Sequence, residues 1–202
     1  MEINKLILIC GPSGSGKSTL LDQPNKVLDN ELANDLSFLK SDFIEYFNIG
    51  EYFDNKSKSI DQLVIHIDLF NFCLSKQNPK NLKDLEENCL MGNLNLMKKL
   101  DIYINNAKEV IVLILYLPCK INFRRIINRN FKENRRNFSN IKIAVFNPAY
   151  KNGKLHKQLY RFFCSYTNKK GLHNIYVLNA SSKIYDFIDW KSYLKLIDLD
   201  LP

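Results

Sequence analysis

The run Gly11-Pro12-Ser13-Gly14-Ser15-Gly16-Lys17-Ser18-Thr19 constrains this chain more than any other stretch, because it fills every fixed position of the pattern G-x-x-x-x-G-K-[ST]. Its flanks decide what the pattern means. Before it, Leu6-Ile7-Leu8-Ile9 is a short, continuous apolar run of the kind that fills a central parallel strand; after it, Lys17-Ser18-Thr19-Leu20-Leu21 restarts as a helix. The glycines let the backbone between strand and helix curl so that successive N–H groups point inward. Together with the positive end of the following helix they form a nest for phosphate oxygens. In that frame Lys17 would reach the β- and γ-phosphates of a nucleotide and the Ser18 hydroxyl would hold Mg²⁺.

With these residues in place, the chain resembles the P-loop nucleoside triphosphatases, on Gly11 to Thr19 and on Asp68. The string GPSGSGKSTLL also occurs in transporter ATPases of the ABC type, in guanylate kinases and in gluconate-type kinases, so the resemblance names a superfamily and not a reaction. ABC transporters place the loop well inside the chain and follow it with a serine-glycine-glycine signature. Here the loop begins at Gly11 and that signature is absent. A loop reached by the first strand is similar instead to the small-molecule and nucleotide kinases of the adenylate, gluconate and shikimate type. The resemblance implies an α/β fold, a three-layer P-loop NTPase domain whose mostly parallel sheet of about five strands carries helices on both faces. It also implies ATP and Mg²⁺ as cofactors, with GTP left open.

A chain of 202 residues fits a single domain, spanning 1–202, that can bury a substantial core without disulfides. Cys10, Cys73, Cys89, Cys119 and Cys164 are odd in number, scattered and without metal-ligand spacing, which predicts reduced thiols in a cytoplasmic protein and no zinc site. The longest apolar run, Val110 to Cys119, is half the length of a membrane helix, and the first residues lead into a strand and not into a cleavable signal. Net charge is +8, unevenly spread: Lys120 to Lys170 holds fourteen Lys and Arg against the single acid Glu133. That segment predicts an anion-handling surface, while a solvated face without a ligand is the plainer alternative.

In chain order, Pro24 should end the helix that carries Lys17, with a kink or a second helical piece near Asn25. Leu36-Ser37-Phe38-Leu39 reads as a second strand, and Asp42 then either faces the ligand crevice or caps a helix over Phe43 to Phe47. By position Asp42 is similar to the acid that contacts the substrate hydroxyl in gluconate-type and shikimate-type kinases. Asn48 to Ser59 reads as a surface loop. Leu63-Val64-Ile65-His66-Ile67-Asp68 is an apolar strand ending in an acid, similar to a Walker B element, where Asp68 would hold Mg²⁺ opposite Ser18. His66, a lone histidine among apolar residues, reads as core. Asn71 to Asn81 reads as a loop near the acceptor pocket, followed by a helix from Leu82 to Asn106 that packs through Leu85, Cys89, Leu96, Leu100 and Tyr103.

Glu109 to Leu117 is a strand closed by Pro118, and from Ile121 the pattern turns helical, with Arg125 and Arg129 four apart on one face where both can reach one anion. Arg135 and Arg136 follow. These four arginines resemble the arginine-bearing helix and lid that follow the fourth strand in nucleotide and metabolite kinases, which neutralise charge on the transferring phosphoryl group. Tyr150 to Tyr166 is amphipathic, with His156 on its exposed side. Asn174 to Leu178 reads as the last strand, Asn179-Ala180-Ser181-Ser182 as the loop beside the base, and Asp186 to Ile197 as a closing helix.

The leading expectation is a Mg²⁺-ATP-dependent phosphotransferase acting on a small metabolite or nucleotide, since phosphoryl transfer needs mainly positioning and charge neutralisation. Gly11 to Thr19, Asp42, Asp68 and the arginines would supply both. A second reading, a polynucleotide kinase or nucleic-acid-dependent ATPase, draws on the basic segment with Tyr150, Tyr160, Phe162 and Tyr166 nearby. The third is a sulfotransferase-like or non-catalytic nucleotide-binding protein, against which the intact Gly16-Lys17-Ser18-Thr19 counts. Asn179-Ala180-Ser181-Ser182 does not match the Asn-Lys-x-Asp base reader of regulatory GTPases.

Overall fold

Strand β1, Glu2–Gly11, is buried on both faces from Leu6 onward. Side chains alternate across a strand, so Leu6, Leu8 and Cys10 enter one apolar cluster and Ile7 and Ile9 another. This places β1 in the middle layer of an α/β protein, as the computed structural model shows for the residues it describes, 2–36, 44–48, 59–73, 87, 91–132 and 153–199. The remaining strands are β2, Ile44–Asn48; β3, Ser59–Asp68; β4, Ala107–Tyr116; β5, Ile175–Asn179; and β6, Asp186–Ile188. They form one sheet in the order β2-β3-β1-β4-β5-β6. β2 to β5 all run parallel to β1, and β6 closes the edge antiparallel to β5. The expected count of about five strands thus corresponds to the parallel part, with β6 added.

Helices cover both faces. On one lie α1, Lys17–Asp22, and α2, Asn30–Asp35, packed through Leu20, Leu21, Leu32, Ala33 and the adjacent Leu36 onto Ile7, Ile9, Leu113 and Leu115. On the other lie α3, Leu69–Cys73; α4, Leu94–Asn105; α6, Lys154–Lys169; and α7, Trp190–Leu196. The Phe72 ring meets Phe162, Phe163 and Tyr166 edge-on and so ties α3 to α6. α5, Cys119–Lys132, follows β4 directly and leads to the end of the sheet where the glycine-rich loop lies. Deleting a fully buried side chain such as Leu8 would cost about 2–5 kcal/mol, because the sheet cannot collapse around the void.

Local chemistry explains where elements begin and end. α1 stops at Asp22, and Pro24 opens a single 3-10 turn, Pro24–Lys26, as the proline predicts. The Asp29 carboxylate accepts from the Leu32 N–H at 2.8 Å and starts α2. Leu36 is therefore the last apolar residue on a helical face and not the first of a strand; 37–39 lie outside the described residues. The helix expected over Phe43 to Phe47 is instead β2, which pairs Ile44 with Gln62 and Asn48 with His66, and Ile, Tyr and Phe suit a strand better than a helix.

The loop expected from Asn71 is helical through Cys73, because the Asp68 carboxylate accepts from the Phe70 N–H at 2.9 Å and Phe72 and Cys73 are drawn into the core. The long helix expected over Leu82 to Asn106 is interrupted: Gly92 has φ 64° and Asn93 caps α4, accepting from the Leu96 N–H. Leu100 and Tyr103 pack as the spacing predicts; Leu85 and Cys89 lie outside the described residues. At the end, Asp186 begins β6 and not a helix, since Asp189 caps α7 by accepting from the Ser192 N–H at 2.9 Å.

Among the described residues Cys10, Cys73, Cys119 and Cys164 form no disulfide, and no helix is long and apolar enough to cross a membrane.

Candidate functional site

The site assembles at the carboxyl ends of β1 and β3, where open α/β sheets leave a crevice. β1 ends at Gly11 and β3 at Asp68, and these two are register partners. Between β1 and α1 the backbone turns through Gly14 at φ 81° and Gly16 at φ 97°, the left-handed region that a side chain resists. At Gly16 a Cβ would also run into the Tyr185 hydroxyl oxygen, so both conformation and space require glycine there. The turn closes on itself through the Ser15 N–H, which donates to the Pro12 carbonyl at 3.1 Å. Among the described residues the Gly14 and Gly16 N–H groups make no backbone hydrogen bond.

Lys17 is half-buried and turns its ammonium back into the loop, donating to the carbonyls of Gly11 at 2.7 Å and Pro12 at 3.0 Å. Burial lowers its pKa, the nearby Asp68 carboxylate opposes that shift, and Arg129 adds to it. Ser18 and Thr19 are exposed at the start of α1, and Ser15 is fully buried with its hydroxyl oxygen lacking a hydrogen-bond partner among the described residues. His66, half-buried in β3, has its pKa lowered by burial first and by the Lys17 charge second.

α5 lies against the tip of the loop. A Cβ at Gly14 would meet Ile126 at 3.4 Å, the Asn122 amide at 3.6 Å and the Arg125 Cβ at 3.8 Å. The fully buried Asn122 donates its amide to the Ser13 carbonyl at 2.7 Å. Arg129 donates to the Ser13 hydroxyl at 3.0 Å, and the Arg125 charge acts on Tyr185, opposing the rise that burial imposes on its phenol. Arg129 thus meets the loop at Ser13, while the Cβ of Arg125 lies beside Gly14 and its charge acts on Tyr185.

α6 holds the approach to α5. Tyr160 donates its hydroxyl to the Leu115 carbonyl at 2.9 Å and accepts from the Leu117 N–H at 3.0 Å. Next to it the His156 Nε2 faces the Leu117 carbonyl at 2.5 Å; a carbonyl can only accept, so that nitrogen carries the proton. His156 is buried and not exposed, a correction with a plain cause: it lies one residue from Leu155 and four from Tyr160, on the inward edge of the α6 stripe. Burial pushes its pKa down to about 4. The basic segment divides. Lys157 and Arg161 pair with Asp198, and Lys170 pairs with Asp101, whereas Arg129 turns to the loop.

Of the expected site residues, Gly11 to Thr19, Asp68, Arg125 and Arg129 come together. Asp42, Arg135 and Arg136 lie outside the described residues. Two contributors were not anticipated, Asn122 and Tyr185. Asn122 was findable, because it stands three and seven residues before Arg125 and Arg129 on the same helical face. Tyr185 carried no such signal.

The sequence matches no family profile and no curated protein. A solved structure described as "Structure of YGR205w protein" is similar with a TM-score of 0.41 and 13% identity, over 94% of this chain and 92% of that one. A likeness that distant carries no argument about activity.

Proposed function

We propose that the chain binds a nucleoside triphosphate with Mg²⁺ on Gly11 to Thr19 and transfers its terminal phosphoryl group to a small metabolite or nucleotide. One observation carries the reading: the complete G-x-x-x-x-G-K-[ST] run forms a strand-to-helix loop with two left-handed glycines, and Asp68, the register partner of its first residue, acts by its charge on Lys17. The fit to phosphate has physical support. Lys17 makes no ion pair among the described residues and spends its donors on two loop carbonyls. An anion beside it would offset the burial that lowers its pKa. The Gly14 and Gly16 N–H groups, which make no backbone hydrogen bond among the described residues, are further donors.

In this reading Lys17 neutralises terminal phosphate charge, while Ser18 and Asp68 hold the metal, whose charge would further offset that of the phosphate oxygens. Arg125 and Arg129 approach from α5 and stabilise charge as it develops on the transferring group, a task suited to a planar, permanently charged fork. ATP is the default donor, with GTP open, and a cytoplasmic setting is part of the proposal. The ion pairing of Lys157, Arg161 and Lys170 with Asp198 and Asp101 leaves fewer cations for tracking a polynucleotide, which favours a small acceptor. The experiment is a phosphotransfer screen with radiolabelled ATP and Mg²⁺ across sugars, sugar acids, nucleosides and nucleotides, with a 5′-hydroxyl oligonucleotide alongside. Transfer to a small acceptor supports the reading, and transfer to the oligonucleotide alone replaces it with the polynucleotide one.

A further inference from the structure

Ser13 at the tip of the loop is gripped twice by α5, its carbonyl by Asn122 and its hydroxyl by Arg129. The two grips differ in kind. Arg129 is exposed and reaches in on a long, flexible stem, whereas Asn122 is fully buried and its amide sits 2.7 Å from the carbonyl. In a trans peptide the carbonyl of one residue and the N–H of the next point in opposite directions, and no peptide among the described residues is cis. Holding the Ser13 carbonyl on α5 therefore turns the Gly14 N–H to the side away from α5. That N–H makes no backbone hydrogen bond among the described residues. With φ at 81°, Gly14 has the backbone freedom that would let the same peptide flip if the carbonyl were released.

We propose that Asn122 is a positioning residue for phosphate binding: by anchoring the Ser13 carbonyl it fixes the peptide between Ser13 and Gly14 as a donor surface, aiming the Gly14 N–H at a phosphate oxygen. The inference rests on the nucleotide reading above and adds to it a residue outside the sequence motif. Its position is secured from behind, because His156 and Tyr160 of α6 hold the backbone of Leu115 and Leu117 immediately before α5 begins. Losing Asn122 leaves the buried Ser13 carbonyl without this donor, and rotation of the peptide toward other partners withdraws the Gly14 N–H.

The test compares wild type, Asn122→Ala and Asn122→Asp by calorimetric titration with Mg²⁺-ATP and, separately, with inorganic tripolyphosphate, and records melting temperatures without ligand. Asp189→Ala, which removes the cap of α7, serves as a variant whose lower melting temperature has nothing to do with the loop. Asn122→Ala is expected to raise the Kd for both ligands about tenfold. Asn122→Asp, the same shape with oxygens that can only accept when ionised, should be at least as poor. Asp189→Ala should stay within about twofold of wild type. A purely structural Asn122 would melt earlier yet bind within about twofold of wild type, which would overturn the proposal. Binding by Asn122→Asp close to wild type would overturn it too, because shape and not the donor would then matter. If Asn122→Asp does not fold, the Asn122→Ala and Asp189→Ala comparison decides alone. Wild type that binds neither ligand would overturn the nucleotide reading and this inference together.

Discussion

Gly11 and Asp68 are register partners on the parallel pair β1 and β3, so the backbones of the first residue of the glycine-rich loop and of the acid ending the neighbouring strand lie side by side. Asp68 also caps the turn that follows, accepting from the Phe70 N–H at 2.9 Å. An asparagine would keep that acceptor and lose only the charge. Asp68→Asn is therefore expected to fold normally and to weaken nucleotide binding in Mg²⁺ more than binding in EDTA. Titrations in the two buffers check this; equal losses would assign Asp68 to packing alone.

Arg129 donates to the Ser13 hydroxyl and is exposed, so removing it empties no core. Arg129→Ala should lower kcat by roughly tenfold to a thousandfold, the scale for losing a donor to developing charge, with a far smaller effect on nucleotide Kd. Steady-state kinetics with an acceptor found in the phosphotransfer screen would measure it. If the basic segment instead tracked nucleic acid, the same change would reduce the salt dependence of polynucleotide binding by about one unit.

Much of this architecture could be read before the fold was known, for a physical reason. Leu6 to Ile9 is an uninterrupted apolar run and Leu63 to Ile67 one broken only by His66, a pattern that suits strands covered on both faces, and the glycine-lysine-serine run between strand and helix has few alternative conformations. The helix over Phe43 to Phe47 is suggested by Asp42 as a cap, yet Ile44, Tyr46 and Phe47 suit a strand, and pairing with β3 makes 44–48 one. Asp186 to Ile188 failed similarly: a three-residue edge strand has no periodicity to detect. His156 was misjudged because Lys154 and Lys157 suggested a wet face, while the wide apolar stripe of α6 reaches one residue past Leu155. Asn122 and Tyr185 matter through contacts with Ser13 and Gly16 more than a hundred positions away, which local pattern does not encode.

His156 gives a pH prediction whose sign follows from its burial. Its pKa in the fold is about 4 against an ordinary 6.5, so the unfolded chain binds the extra proton first. Stability is full above pH 6.5 and falls as the pH drops toward 4, by roughly 3 kcal/mol at most from this group. His66, also lowered, acts in the same direction. His156→Gln, which keeps a donor for the Leu117 carbonyl and cannot titrate, should flatten the urea-midpoint profile between pH 6.5 and 4 relative to wild type. An unchanged profile would contradict the buried neutral state.

The central claim, that Gly11 to Thr19 is a working nucleotide site, is tested most directly by the thermal shift of wild type and Lys17→Ala with saturating Mg²⁺-ATP. Among the described residues the Lys17 ammonium donates only to the loop carbonyls of Gly11 and Pro12, so its loss should leave the ligand-free fold standing. A ligand at a hundred times its Kd stabilises the folded state by about 2.7 kcal/mol, a shift that melting curves resolve. The account predicts a clear Mg²⁺-ATP-dependent rise for wild type and none for Lys17→Ala at the same concentration. An equal rise in both proteins, or none in either, would contradict it.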